Sequence, residues 1–397
     1  MLARGIWGRE RLRQNGEYTG VLDQRERGHG TLGGGRYERG RKSYEGIDWM
    51  AKLAEDTLIS NVTIPGTHDS AAYTYSWPFV QTQNMDIATQ LNAGIRYFDL
   101  RCGLRDEILE MVHGSAFLGL TLTSVLDTLC AWLSEHESEA LIVQIKQDRK
   151  PERSTVHFAQ AIWKCLSKNS ARWRTANTTP TLAELRGKIQ LLRRFEGPSL
   201  HAYGIDVTRW QDNPSRPFTI YGRHQVLLTI QDHYSFPDPE SLPNLIATKG
   251  GDVAELLNRA AADPDKGHWY INFTSAYEFN LYYQLPPREV AIGGWWAFHW
   301  EEGMNPRIRG YLEQHTGRRR YGIVAMDFPE KGADDLIKTL IMSNFGGGES
   351  DSRTILQLLV KVVFLLLLLL LLVVGLAVVV KFLLDDRMLK WVQDHGM

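Results

Sequence analysis

Two histidines stand in small-residue surroundings early in the chain, His68 in IPGTHDSAA and His113 in MVHGS. Each alone reads as easily as a structural histidine beside glycine. Together, two imidazoles that titrate near neutral pH can act as base and acid in one displacement, the requirement for moving a phosphoryl group between two alcohols. Between them lies Phe98-Asp99-Leu100-Arg101. Strand alternation sends Asp99 and Arg101 to one face, where the forked guanidinium can meet phosphate. The competing reading of that pair is an ion pair that ties the core together.

Elements that could position these residues come next. Short runs rich in β-branched and aromatic residues alternate with segments of helical period from Ile59 to about Asn344, the pattern of repeated βα units. The spacing predicts strands at Val62–Pro65, Ile95–Arg101, Ile108–His113, Ala140–Lys146, Lys188–Phe195, Gln225–Gln231, Trp269–Thr274 and Tyr321–Asp327. Eight strands suggest an α/β fold with a closed, TIM-like (β/α)8 barrel, allowing for irregularity. The histidines then fall at strand ends, where the loops of such barrels carry their chemistry. Apolar stripes predict core-facing helices over Ser124–His136 and Val156–Ser167. Gly293–Trp300, GGWWAFHW, puts three tryptophans in eight residues. Exposed, it would suit a bilayer interface; buried, it would plug the barrel rim, and the sequence leaves both open.

Composition bounds the rest. A net charge of -1 over 397 residues gives no basic excess for nucleic acid. Three scattered cysteines, Cys102, Cys130 and Cys165, support neither a disulfide framework nor a zinc site. The Asn-X-Thr sequons at Asn61, Asn177 and Asn272 read as chance, since Met1–Tyr18 lacks the apolar stretch of an export signal. Residues 1–48 are Gly- and Arg-rich and predicted to be a disordered arm. Residues 49–344 would form the barrel domain and 345–361 a linker. Val362–Val380 is nineteen residues without a charge, long enough at about 1.5 Å per residue to cross about 30 Å of hydrocarbon. The expectation is a single-pass tail anchor, followed by a short tail at 381–397, with the barrel facing the cytosol.

The fragments GTHDSAA, QTQNMDIATQLNAGIRYFDLR, HG, IVQIKQD, LLRRF, TIQDHY, INFTSA and IVAMDF occur in the order seen in bacterial phosphatidylinositol-specific phospholipases C, which residues 59–330 resemble. The resemblance implies cleavage of a phosphatidylinositol-type lipid to diacylglycerol and a cyclic inositol phosphate by a monomer. It implies His68 as general base, oriented by Asp327. It implies His113 with Asp69 as the acid, and Arg101, supported by Asp99, against phosphoryl charge. For the inositol ring it nominates Lys146, Arg194, Asp232 and Tyr234. Animal members of the superfamily hold Ca²⁺ where this chain has Asp69, Asp99, Arg101 and Lys146; two of these are cations, so no metal or other cofactor is expected. The alternatives are a non-catalytic phosphoinositide-binding or scaffolding protein, and a phosphodiesterase for another lipid head group. The Arg/Gly-rich arm and the hydrophobic tail are departures from the secreted bacterial pattern.

Overall fold

A computed structural model describes residues 47–197, 203–236, 241–280, 284–345 and 350–396. Seven parallel strands form its centre: β1 Ile64–Thr67, β2 Tyr97–Arg105, β3 Leu141–Gln147, β4 Ile189–Arg194, β5 Leu227–Gln231, β6 Trp269–Phe273 and β7 Ile323–Met326. Their spatial order is β4-β3-β2-β1-β7-β6-β5. The strands read as near-continuous apolar runs because both faces are covered, as in β6, where all five residues are buried.

The sheet is open, which corrects the closed eight-stranded barrel. The run counted as the eighth strand, Ile108–His113, instead pairs antiparallel with β2 and forms a hairpin with Ala116–Thr121. Between β4 and β5, the described residues supply only Ile205–Asp206, parallel to β4, and Phe218–Tyr221, antiparallel to β5. That stretch lacks a long apolar run, and among the described residues no strand joins the two edges. The remaining predicted strands match β1–β7 to within a few residues.

The predicted helices appear at Leu122–Glu135 and Phe158–Ser167. The first is capped by the Thr121 hydroxyl, which accepts from the Ser124 N–H at 3.1 Å, and it buries Leu122, Val125, Leu126, Leu129 and Leu133. Tight approach between β1 and β2 needs Gly66, where a Cβ would stand 2.7 Å from the Tyr97 ring. Asn272 is buried in β6 and donates to the Val253 carbonyl, which removes that sequon as a glycan acceptor. The tryptophan segment forms a hairpin, Gly293–Trp296 with His299–Glu302, carrying Trp295 71% and Phe298 97% exposed, so it does not plug a rim.

Among the described residues, no helix is long and apolar enough to cross a membrane. This overturns the tail anchor expected at Val362–Val380 and, with it, the single-pass placement of a barrel facing the cytosol. A helix does run over Ser350–His395, beginning inside the segment read as a linker. The arm expected at 1–48 lies outside the described residues except for its last two positions.

Candidate active site

Parallel pairing of β1 with β7 places Thr67 opposite Met326. The next residues in each strand direction, His68 and Asp327, are therefore neighbours although 259 positions separate them in the chain. His68 Nδ1 donates to Asp327 Oδ1 at 2.8 Å, leaving Nε2 toward the cleft. Gln83 locks this junction, its amide donating to the carbonyls of His68 and Met326 at 2.8 and 2.9 Å. Asn305 holds the turn beyond, donating to the carbonyls of Asp327 and Phe328.

Asp99 and Arg101 project from the same face of β2, as strand alternation requires. The Asp99 carboxylate accepts from Arg101 Nε and Nη2 at 3.1 and 3.0 Å, and its other oxygen accepts from the Gln144 amide at 2.8 Å. Arg101 Nη1 also lies 3.3 Å from Asp69 Oδ2. Asp69 occupies the left-handed region at φ 44°, a conformation that aspartate tolerates better than bulky residues do. Its backbone N–H donates to Asp99 Oδ2, so the two acids share a frame.

His113 ends the hairpin strand that was expected in the barrel wall. Its Nδ1 donates to the Val80 carbonyl at 2.7 Å, and its Nε2 lies 3.6 Å from Asp69 Oδ2. The rings of His68 and His113 stand 6.3 Å apart, nearly perpendicular. Two imidazoles, each anchored through Nδ1 and presenting Nε2, thus flank the guanidinium of Arg101. The arrangement can take a proton from one oxygen and deliver one to another while holding an anion between them.

His68, Arg101, His113 and Asp327 line a cleft of about 160 Å³ together with Lys146, Arg194, Asp232 and Tyr234, all expected, and with Asp148, Asp212 and Ser275, which were not. That volume is small beside the roughly 300–1,000 Å³ of pockets for drug-sized ligands. Arg194 lies over the Trp210 ring at 4.2 Å, and Trp210 Nε1 donates to Asp232 Oδ2 at 2.8 Å. The Tyr234 hydroxyl donates to Asp212 at 2.8 Å, and Lys146 pairs with Asp148 at 2.5 Å. Among the described residues, buried Arg194 Nη1, Asp69 Oδ1 and Ser275 Oγ have no hydrogen-bond partner. Such atoms are costly to leave unmatched, and a polar ligand would satisfy them. Asp148 repeats the face of Lys146 at two residues' spacing; Trp210 and Asp212 sit in irregular chain with no such signal.

Burial dominates the electrostatics, because a charged group loses hydration there. It drives His68 well below the ordinary histidine value, helped by the positive charges of Arg101, His113, Lys146 and Lys249. It lifts Asp327 well above the carboxylate range, helped by Asp69 and opposed by Arg101 and Lys249. The pair is thereby held toward neutral imidazole, the form able to accept a proton. Asp69 is raised by burial against the pull of Arg101 and His113. Burial works the same way on Asp99, yet Arg101 and Arg194 overcome it and hold that carboxyl low.

The family model for phosphatidylinositol-specific phospholipase C, X domain, matches residues 62–195, the stretch that carries His68, Asp69, Asp99, Arg101, His113, Lys146 and Arg194. Over 316 residues the chain is 27% identical to a 1-phosphatidylinositol phosphodiesterase of Staphylococcus aureus, covering 75% of this chain and 94% of that protein. A 1-phosphatidylinositol phosphodiesterase of Listeria monocytogenes is 28% identical, again over 75% of this chain and 84% of its own length. A solved phosphatidylinositol-specific phospholipase C from Staphylococcus aureus superposes with a TM-score of 0.64 at 26% identity, covering 75% of this chain and 97% of that one. Over three quarters of its length the chain is thus similar to bacterial phosphatidylinositol-specific phospholipases C, and residues 62–195 carry that family's X domain. Its α/β fold is like that of the solved phospholipase C, and the X-domain match takes in the first half of the site, while Asp232, Tyr234 and Asp327 lie just after strands beyond it.

Proposed function

We propose that the chain is a phosphodiesterase that cleaves phosphatidylinositol-type lipids into diacylglycerol and a cyclic inositol phosphate. The observation that carries this reading is the pair of imidazoles flanking Arg101, each with Nδ1 engaged and Nε2 facing the cleft. His68 Nε2 takes the proton of the inositol 2-hydroxyl, whose oxygen attacks phosphorus. The bond from phosphorus to the glycerol oxygen breaks, and that oxygen takes a proton from His113 Nε2. Asp327 orients His68, and Asp69 stands 3.6 Å from the Nε2 of His113. Arg101 balances the negative charge spread over the phosphoryl oxygens, and Asp99 fixes it in place.

Lys146, Arg194, Asp232 and Tyr234 bind the ring hydroxyls, a role supported by their shared cleft. The guanidinium of Arg101 already lies between the carboxylates of Asp69 and Asp99, so they are matched to it and not to a divalent cation.

The test uses the purified full chain on phosphatidylinositol in mixed micelles, with chelator present and phosphorus NMR as the readout. Cyclic inositol phosphate should appear with the wild type and fall sharply with His68→Ala and with His113→Ala. Absence of product from folded wild type would sink the reading.

A further inference from the structure

Lys249 lies mid-way along the helix Leu242–Ala262 and is fully buried. Among the described residues no carboxylate comes within 4.0 Å of it in an ion pair. A buried ammonium without a paired charge is costly, and a methionine would fill the same volume without that penalty. What the ammonium does is grip backbone and amide: Nζ donates to Gln231 Oε1 at 3.0 Å and to the His233 carbonyl.

Those two acceptors bracket Asp232. Gln231 ends β5, and its side-chain oxygen also accepts from the His233 N–H at 2.8 Å. Its amide nitrogen reaches across to β6, donating to Asn272 Oδ1 and the Phe273 carbonyl at 2.8 and 2.9 Å. Three residues along the same helix, Asp252 takes the Nδ1 proton of His233 at 2.9 Å. One helix face thus clasps the corner 231–233 on both sides, and the residues turned toward the cleft from that corner are Asp232 and Tyr234. Burial brings the Lys249 ammonium down to about 8, against the attraction of Asp232, Asp252 and Asp327.

We propose that Lys249 is a positioning residue of the headgroup cleft, which fixes from behind the corner that presents Asp232 and Tyr234 to the ligand ring. The proposal rests on the reading of that cleft as an inositol site. Lys249 touches neither the cleft nor the reacting atoms, so its loss acts on ring binding more than on the chemical step.

The experiment compares full-length wild type with Lys249→Met, Lys249→Gln and Lys249→Arg, in micellar phosphatidylinositol kinetics and in NMR titration with myo-inositol. Lys249→Met should raise KM and weaken inositol binding by about tenfold, with kcat within about threefold, and Lys249→Arg should recover part of the loss. A folded Met variant with wild-type KM and inositol affinity would overturn the proposal, as would a fall in kcat at constant KM. Should the Met variant not fold, Lys249→Gln, too short to span both acceptors, is judged by the same two outcomes. Wild type that binds inositol without cleaving the lipid would sink the functional reading alone, with the titration still deciding Lys249. Wild type that does not bind inositol would overturn both.

Discussion

His113 Nε2 stands 3.6 Å from Asp69 Oδ2, while the opposite ring nitrogen is fixed on the Val80 carbonyl. The ring is thus held in one orientation, with Nε2 turned toward the acid that also meets Arg101. His68 is anchored differently, through Nδ1 on the Asp327 carboxyl across the β1–β7 pairing.

Replacing His113 with alanine should lower kcat on phosphatidylinositol by about 10²–10⁴-fold, the usual range for losing a general acid. The deficit should shrink by at least about tenfold when the lipid leaving group is replaced by p-nitrophenol, which departs without a proton. Equal losses on both substrates would assign His113 to binding instead.

The acid limb of kcat/KM reports the essential base of the free enzyme. Burial and the positive charges of Arg101, His113, Lys146 and Lys249 all push His68 downward, so protonation silences it only at pH well under the ordinary value of 6.5. The limb should therefore lie in the acid region below that value, measured in buffers of constant ionic strength. For stability the sign is as follows: a histidine whose folded value is depressed binds its proton more readily when unfolded, so its contribution is lost as pH falls from 6.5 toward the folded value.

Arg101 meets two carboxylates at once, with Nη2 on Asp99 and Nη1 toward Asp69. Lysine offers one point charge and cannot reproduce that fork. Arg101→Lys should cost about 10²–10³-fold in kcat, on the scale of losing an oriented transition-state donor. Wild-type turnover should be unchanged by chelator, and added Ca²⁺ should not restore the variant.

Gly322 precedes β7 at φ 72°, and a Cβ there would stand 2.5 Å from the Tyr270 carbonyl oxygen. Alanine must then adopt a left-handed backbone, costing about 1–2 kcal/mol, and must also displace a strand carbonyl. Gly322→Ala should lose at least about 2 kcal/mol and lower Tm by several degrees, read by thermal melting. A melting curve identical to wild type would show that the β6–β7 junction is looser than the structure implies.

Much of this architecture was legible because strand and helix periods are local. The β1–β7 runs, the helix stripes and the strand-end positions of His68 and Asp327 follow from pattern alone. The closed barrel did not follow, because pattern cannot tell a parallel neighbour from a hairpin partner: Ile108–His113 reads like any half-buried strand, yet the tight Asp106-Glu107 turn folds it back on β2. The tail was misjudged from apolar length alone. In the cleft, the residues nominated from the sequence lie on strands or within a few residues of a strand end, whereas Trp210 and Asp212 do not. Trp210 and Asp212 lie where no period applies, and Lys249 hides in an ordinary amphipathic helix, distinguished only by what its amine meets in three dimensions.

The pairing of β1 with β7 has a bearing on how the protein comes into being. Synthesis delivers His68 early, together with its guanidinium and acidic neighbours, but the carboxylate that orients its ring arrives 259 residues later. Central strand β1 has an unfilled flank until then, and contacts of such sequence separation form slowly. A growing or truncated chain that stops short of Asp327 thus carries nearly all the reactive groups without the geometry that would let them act, so competence arrives with completion of the sheet.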